Sequence, residues 1–600
     1  MSARAVAVVL VAAAVAGTAP AAHAAADPLA ALKSSCTLRH STDRPARRAA
    51  DYRICTAPVA SFDGTPLDTT ITLPARVAPG ARLPLVVFLH GFLNTKKEQL
   101  SETRVGNGPD RGGEVYKTFH WNNVWFASRG YAVLDYTARG HDGSGGQTEL
   151  ASKDFEVRDT RRLTGLLADD PVLHVDPAKV AVLGGSYGGG QAWLLLTTRE
   201  DPRLQFGEWR SPAGRLVRLA AIVPSYTWTD LLYSLAPNGH QRSTGVDPAT
   251  AASPFGVGKL TLIDGFLATL GSKLTPQIAQ WLARFNAGEP YDPGDPVVAE
   301  ATRALTRDRS AFYQDDYFAA LRAGRQRAVP VLAAQGWTDP IFPAIEPVRM
   351  YRRLRAARRD YPIELYLGDF EHLTALAKVP DLLYAHVLGN NLLDRALKGR
   401  GLRPKYDVRA AITNCDPSSM GHIVRVPSWD ALGPQQLSFE LGGPQATASP
   451  LTDPRGADAD PVARSTTRGR GCITTSAPVA SGVAAWTAPV PYDFTLLGLP
   501  RLVLHFRSAA SDLELDTRLW DLAPDGTETL ITRGAYRALS PNPAGEVADQ
   551  ELFGNAWRLR TGHSLRLEVT QVDSGYLRPD NFASGAVIDG ARLELPGREG

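Results

Sequence analysis

One stretch narrows the possibilities for this chain more than any other. Lys179 to Trp193 reads KVAVLGGSYGGGQAW, an apolar run feeding a serine set among five glycines. Glycine weakens both strands and helices, so this density marks a place where side chains do not fit. Gly184-Gly185-Ser186-Tyr187-Gly188 matches G-x-S-x-G, in which a serine occupies a strained turn between strand and helix with its hydroxyl aimed off the sheet. Side chains two residues either side would collide, and Gly184 and Gly188 remove them. Gly189 and Gly190 let the following helix approach the sheet. The Tyr187 N–H opens that helix and can donate to an oxyanion. A phosphate-cradling glycine loop also follows a strand, but here the strand is not the first of its sheet and the serine is central, which favours a nucleophile.

A serine hydroxyl needs a base, and the base needs an orienting carboxylate. With this motif they follow in the order Ser, Asp/Glu, His, each at the C-terminal end of a strand. The run VPVLAAQGW ends in Thr-Asp-Pro and offers Asp339; the run IELYLG leads into Asp-Phe-Glu-His and offers His372. Asp369 is the rival carboxylate. The loop after LPLVVFLHG supplies the second oxyanion donor, the Phe92 N–H, and His90 reads as a brace of that loop rather than a base.

Around these residues, apolar strands alternate with helical patterns over most of the first 400 residues. LPLVVFLHG, YAVLDY, KVAVLGGS, LVRLAAIVPS, AVPVLAAQGW and PIELYLGDF read as strands. TFHWNNVWFASRG, DFEVRDTRRLTGLLADD and DLLYAHVLGNNLLDRALKG read as helices. That alternation predicts a doubly wound, mostly parallel α/β sheet. CTAPVASFDGTPLDTTITLPA reads as a hairpin turning at Asp63-Gly64. Residues from about 227 to 327 break the alternation with helical pieces, which predicts a cap insertion. After Gly399 short strands separated by Gly/Pro clusters take over, from DVRAAITN onward. They predict an all-β sandwich or jelly roll over 401–600, with GGPQATASPLTDPRGADADP as surface loop.

The chain begins with a basic MSAR, an apolar AVAVVLVAAAVAG and a small-x-small Ala22-His23-Ala24, the pattern of a secretory signal peptide over 1–24. The catalytic domain is then expected over 25–400. Secretion to the outside and no membrane partner after cleavage follow. The four cysteines fall into two sequence-local pairs, Cys36–Cys55 and Cys415–Cys472, predicted as disulfides of an exported protein. No C-x-x-C spacing suggests a metal, and no cofactor is called for. A formal net charge of +3 spread over 600 residues gives no reason to expect nucleic acid.

FASRGYAVLDYTARGHDGSGG, GGSYGGG, VPVLAAQGWTDPIF and LGDFEH together resemble the X-Pro dipeptidyl-peptidase and cocaine-esterase family of α/β-hydrolase serine hydrolases. LLGLPRLVLHFRSAASDLELDTRLWDLAPDGTETLITRGAYRA resembles that family's C-terminal jelly-roll domain. The resemblance implies acyl transfer through Ser186, with Asp339 and His372 as partners. It implies either cleavage after an N-terminal X-Pro or carboxylesterase/acylase action on small esters or amides. Two positions depart from the family. Phe92 stands where members often carry an oxyanion-donating tyrosine, and Thr137 stands where an aspartate is common. Cleavage after X-Pro needs a carboxylate for the substrate ammonium and an apolar slot for proline. Glu371, Asp230, Asp315 and Asp316 are the candidate acids, and Trp228, Trp337 and Tyr187 the candidate walls. A reading of another class is a carbohydrate-binding protein on a dead hydrolase fold; the intact Ser/Asp/His order speaks against it.

Overall fold

The computed structural model describes residues 27–600 except 44–48, 107–117, 239–254, 260–266, 268, 371, 373–377, 402, 450, 462–470 and 574. The expected signal peptide and Glu371 therefore lie outside the described residues.

The first domain is built on a twelve-stranded sheet. Its strands are β1 (Thr37–His40), β2 (Asp51–Ala60), β3 (Pro66–Pro74), β4 (Leu83–Leu89), β5 (Ala132–Tyr136) and β6 (Val175–Gly185), then β7 (Glu208–Arg210), β8 (Leu216–Ser225), β9 (Val331–Gly336), β10 (Ile363–Gly368), β11 (Val408–Ala411) and β12 (Ile423–Val426). The spatial order is β1-β2-β3-β5-β4-β6-β8-β9-β10-β11-β12, with β7 on β8. From β5 to β11 all neighbours run parallel.

The reason β4 reads as one apolar run is visible in its two faces. Leu85, Val87 and Leu89 enter one core, shared with Leu194 and Leu195 of the helix Tyr187–Thr197. Val86 and Phe88 enter the other, shared with Leu388 and Leu392 of the helix Val379–Lys398. A strand covered on both faces has no position left for a polar side chain. The chain steps from β4 to β5 on one side and then to β6 on the other, so the order reverses between β4 and β6. Open α/β sheets place their sites at the C-terminal strand ends beside such a reversal.

The expected hairpin is β2–β3, with Gly64 at φ 85° in the turn. Between β8 and β9 the described residues form helices and no strand, including Leu231–Leu235, Pro276–Ala287, Pro296–Arg303 and Asp315–Arg322. Trp228, Leu232, Ile278, Trp281 and Val298 are buried together there, in a core that also takes in Tyr187, Phe342, Phe553 and Tyr576.

The change of texture after Gly399 does not mark the end of the first sheet. Val408–Ala411, expected as the first strand of the β domain, pairs in parallel with β10, and β12 pairs antiparallel with β11. The sheet therefore runs past 400 to Val426. What stops at Gly399 is the alternation with helices, and a strand added without its helix looks in sequence like the start of an all-β unit.

The second domain is a sandwich of a six-stranded and a five-stranded sheet. The first sheet is centred on Arg501–Arg507 and Gly585–Glu599, the second on Asp512–Leu522 and Glu528–Leu539. Leu504, Leu515, Leu567 and Leu593 fill the space between them. Part of the stretch expected as surface loop is ordered structure. Gln435–Ala448 is one strand, carried past Gly442 by a register shift, and Pro454–Ala459 is a short helix. That helix exists because Arg455 is fully buried and pairs with Glu528 and Glu568. Disulfides join Cys36 to Cys55 and Cys415 to Cys472. With the sheet ending at Val426, the second bridge ties the β11–β12 connection to the sandwich. Among the described residues no helix is long and apolar enough to cross a membrane.

Candidate active site

Ser186 follows the C-terminal end of β6 and caps the helix Tyr187–Thr197 with φ 52° and ψ −119°. A residue with a β-carbon rarely adopts that backbone, and the surroundings over-determine it. The Ser186 N–H donates to Ser225 O at 3.0 Å, and the Gly189 and Gly190 N–H groups donate to Ser186 O at 3.0 and 3.1 Å. A β-carbon on Gly184 would strike the backbone of Gly188, and one on Gly188 would strike Leu89 O. At Gly184 and Gly188 backbone approaches backbone, while β-carbons on Gly189 and Gly190 would strike the side chains of Thr227 and Trp228. A β-carbon on Gly185 would overlap the Tyr226 hydroxyl, a neighbour that the motif does not announce.

Asp339 follows β9 and His372 follows β10. Both strands run parallel to β6 in the order β6-β8-β9-β10, so all three residues stand on one edge of the sheet. His372 Nδ1 bonds Asp339 Oδ2 at 2.7 Å. Asp339 Oδ1 accepts from the N–H groups of Ile341 and Phe342 at 2.9 and 3.0 Å, which folds the carboxylate back over its own turn. A carboxylate oxygen facing Nδ1 favours the tautomer in which Nδ1 donates and Nε2 carries the lone pair. That nitrogen is buried and has no hydrogen-bond partner among the described residues. The ring is clamped edge-on by Tyr226 and Phe342, at 5.3 and 5.2 Å between centroids.

The rival Asp369 is engaged elsewhere. It accepts from Thr338 Oγ1 at 2.7 Å and pairs with the buried Lys378 at 2.8 Å. His90 is fully buried, bonds Gly91 O through Nδ1 at 2.7 Å and accepts from Ala138 N through Nε2 at 2.8 Å. Burial pushes its pKa down to about 4, so it is a neutral brace between the loops after β4 and β5.

The two residues expected to offer oxyanion donors lie side by side, with the Phe92 and Tyr187 rings 5.3 Å apart. Among the described residues neither backbone N–H donates elsewhere. The Tyr187 hydroxyl points away from the serine, donating to Glu156 Oε1 at 2.8 Å and accepting from Ala151 N at 3.0 Å. Glu156 also accepts from Glu149 N and Ser152 N, at 2.9 and 2.8 Å. Burial, the larger influence, raises its pKa to about 7.

The expected substrate walls are placed differently. Trp228 packs against Phe342 and Tyr187 and donates to Arg309 O at 2.8 Å, a member of the cap core. Trp337 is buried, donates to Ala411 O at 3.0 Å, and packs with Trp429 and Leu499 toward the second domain. Both indoles are buried with a satisfied N–H, and Trp337 also lines a cavity together with Asp339, Pro340 and Tyr576. Asp230 is fully buried against Arg349 and receives Tyr313 OH, so its charge is neutralised inside the protein. Asp315 pairs with Arg353 and lines, with Asp316, a separate cleft beside Arg158 and Arg199.

Thr227 and Gln335 carry weight that sequence reading missed. Thr227 Oγ1 donates to Ser186 O at 2.6 Å. Gln335 Oε1 accepts from Thr227 N at 3.0 Å, while Gln335 Nε2 donates to Phe342 O at 2.6 Å. The serine turn and the acid turn are thus joined by two side chains. A glutamine in the otherwise apolar VLAAQG of β9 was the available signal, since a buried amide must find partners. Among the described residues no group of three or more His, Cys, Asp or Glu side chains has a metal-holding arrangement.

Both domains are similar to those of known proteins. The family model of the X-Pro dipeptidyl-peptidase (S15 family) matches residues 63–374, and that of the X-Pro dipeptidyl-peptidase C-terminal non-catalytic domain matches residues 424–582. The dipeptidyl aminopeptidase BIII of Pseudoxanthomonas mexicana is 30% identical over 194 residues, covering 30% of this chain and 24% of that relative's length. An α-amino acid ester hydrolase structure shares the fold at TM-score 0.60 and 16% identity, over 91% of this chain and 97% of that one. A CocE/NonD family hydrolase from Staphylococcus aureus does so at TM-score 0.60 and 11% identity, over 94% and 97%. An aminopeptidase from a marine sediment Thaumarchaeota archaeon does so at TM-score 0.58 and 14% identity, over 91% and 97%.

Proposed function

Because this chain belongs to the X-Pro dipeptidyl-peptidase S15 family, we propose that it is an exported serine hydrolase that forms an acyl-enzyme on Ser186 and releases N-terminal X-Pro dipeptides. The observation that carries the reading is the His372–Asp339 bond, with Nε2 unpartnered among the described residues, on the sheet edge where Ser186 is held in a strained turn. His372 Nε2 takes the proton of Ser186 Oγ as it attacks the carbonyl carbon. Asp339 holds the imidazole in the tautomer that can accept and stabilises the imidazolium formed. The Phe92 and Tyr187 N–H groups receive the oxyanion, fixed donors worth about 3 kcal/mol each in such sites. The imidazolium returns its proton to the departing amine. His372 then activates water to hydrolyse the ester and free the serine. Export is supported by the N-terminal sequence pattern and the two disulfides.

Carboxylesterase action on small acyl esters by the same residues is the second reading. It is favoured by the engagement of Asp230 with Arg349 and of Asp315 with Arg353, which occupies two of the acids that a substrate ammonium would need.

A panel of Ala-Pro and Gly-Pro anilides beside p-nitrophenyl esters separates them. Ammonium recognition inside a partly dry pocket is worth about 3–5 kcal/mol, so N-acetylating Ala-Pro-anilide should nearly abolish its cleavage. Equal turnover of blocked and free anilides removes the dipeptidyl-peptidase reading. Turnover of esters alone assigns a carboxylesterase.

A further inference from the structure

Three successive carbonyls of the turn that carries Asp339 are held from three different parts of the molecule. Pro340 O accepts from the hydroxyl of Tyr576, in the second domain, at 2.5 Å. Ile341 O accepts from Lys259 Nζ, in the cap, at 2.7 Å. Phe342 O accepts from Gln335, in β9 itself, at 2.6 Å. A turn of this kind has no ladder of its own, so its geometry is set by what receives its carbonyls.

Neither outside donor is loosely placed. Lys259 is 1% exposed. Its ammonium sits 5.1 Å from the centroid of Phe553 and 5.9 Å from that of Tyr576, both in the second domain. Its backbone is gripped from both sides: Lys259 N donates to Leu235 O at 3.0 Å, and Arg578 N donates to Gly258 O at 2.7 Å. Tyr576 is 1% exposed, and Arg533 lies over its ring at 4.9 Å. Burying an ammonium with one carbonyl and two ring faces around it is costly, and burial pushes the Lys259 pKa down to about 7. A methionine would fill the same space at no such cost, so the charge calls for a reason. Asp339 and Glu346 are the acids whose fields act on it. Glu346 already accepts from Thr229, Asp230 N and Ser234.

We propose that Tyr576 and Lys259 are positioning residues for the Asp339–His372 pair: the hydroxyl of the second domain and the ammonium of the cap fix the acid turn, and so aim Asp339 Oδ2 at His372 Nδ1. The second domain is then a working part of the site, acting through Asp339 without touching substrate. The proposal rests on the serine-hydrolase reading above.

Tyr576→Phe and Lys259→Met in the full chain test it, with Arg352→Ala as the control. Arg352 pairs with Glu551 across the same two domains at 2.8 Å, partly in solvent, and makes no hydrogen bond to the acid turn. Turnover of the best anilide or ester is measured well below each variant's melting temperature. The rate at which a fluorophosphonate labels Ser186 is measured alongside. A misaimed acid should lower kcat about 10- to 100-fold, as sub-ångström to ångström displacements do, with KM within about 3-fold because ground-state binding is untouched. Labelling should slow by the same factor, and Arg352→Ala should leave all three quantities at wild-type values. Folded Tyr576→Phe and Lys259→Met proteins with wild-type kcat and labelling rate, only less heat-stable, overturn the proposal. If Lys259→Met does not fold, Tyr576→Phe, which keeps the ring, decides alone. A wild-type protein that is not labelled at Ser186 at all refutes the serine-hydrolase reading instead.

Discussion

Thr227 Oγ1 donates a 2.6 Å hydrogen bond to the carbonyl oxygen of Ser186. The donor follows the end of β8 and the acceptor follows the end of β6, so this bond fastens two neighbouring strand ends at a residue with a strained backbone. Tyr226, just before Thr227, itself stands at φ 36°. Its N–H donates to Ala334 O at 2.7 Å, and its ring meets His372 edge-on. Two strained residues on adjacent strands thus support each other across the serine and the histidine.

Replacing Thr227 by valine removes this donor and keeps the shape. Gly189 and Gly190 still donate to Ser186 O, so the carbonyl is not orphaned. The expected cost is about 1 kcal/mol of stability, with Thr227→Ser close to wild type. Urea unfolding curves with unchanged slope measure it.

The three residues on the sheet edge should respond unequally. Ser186→Ala and His372→Ala each remove essentially all turnover, on the order of a million-fold where such groups act as a unit. Asp339→Asn costs about ten-thousand-fold, by presenting the wrong tautomer. Asp369→Asn should instead leave kcat near wild type and destabilise the fold by about 1–3 kcal/mol, because it removes the charge partner of the buried Lys378 while the hydrogen bonds to Asn414 remain. Steady-state kinetics together with thermal melts check all four. An active Asp339→Asn beside a folded but dead Asp369→Asn refutes this assignment.

Glu156 links pH to stability. Its pKa rises from the ordinary 4.5 to about 7 on folding, so between those values the folded chain binds more protons than the unfolded one. Stability then falls as pH rises through this window, by up to about 3 kcal/mol from this one group. Glu156→Gln should flatten that slope between pH 5 and 7. Denaturant melts of the wild type and the variant at four or five pH values measure the difference.

The bridges Cys36–Cys55 and Cys415–Cys472 close loops of 19 and 57 residues. By loop-closure entropy they should contribute about 3 and about 4 kcal/mol. Peptide mapping without reductant should recover both pairs, and paired Cys→Ser replacement should show the larger loss at Cys415 and Cys472.

What was legible in the sequence followed from local physics. The glycines round Ser186 form a recognisable motif whatever it is that crowds them, and Asp339 and His372 follow runs whose apolarity betrays burial on both faces. The supports of the site were not legible, because nothing local requires them. Tyr576 reads as one aromatic among many in a β domain, and Lys259 as one cation in a helical insertion. Only the fold brings them to Pro340 and Ile341. Trp228 packs into the cap core for the converse reason: aromatic residues near catalytic motifs serve equally well as packing. The boundary at Gly399 failed because composition records the loss of helices and not the continuation of a sheet.

Strands β11 and β12 close the outer edge of the first sheet from residues 408 to 426, well after His372 has been threaded. A chain made from its N-terminus onward therefore has every reacting group in hand while β10 still shows a bare row of amides and carbonyls. At ordinary elongation rates, the wait from Gly368 to Val426 lasts on the order of several seconds. Over that interval the unfinished edge is a template for any other extended chain. Pairing of β11 along β10, and of β12 along β11, removes that template.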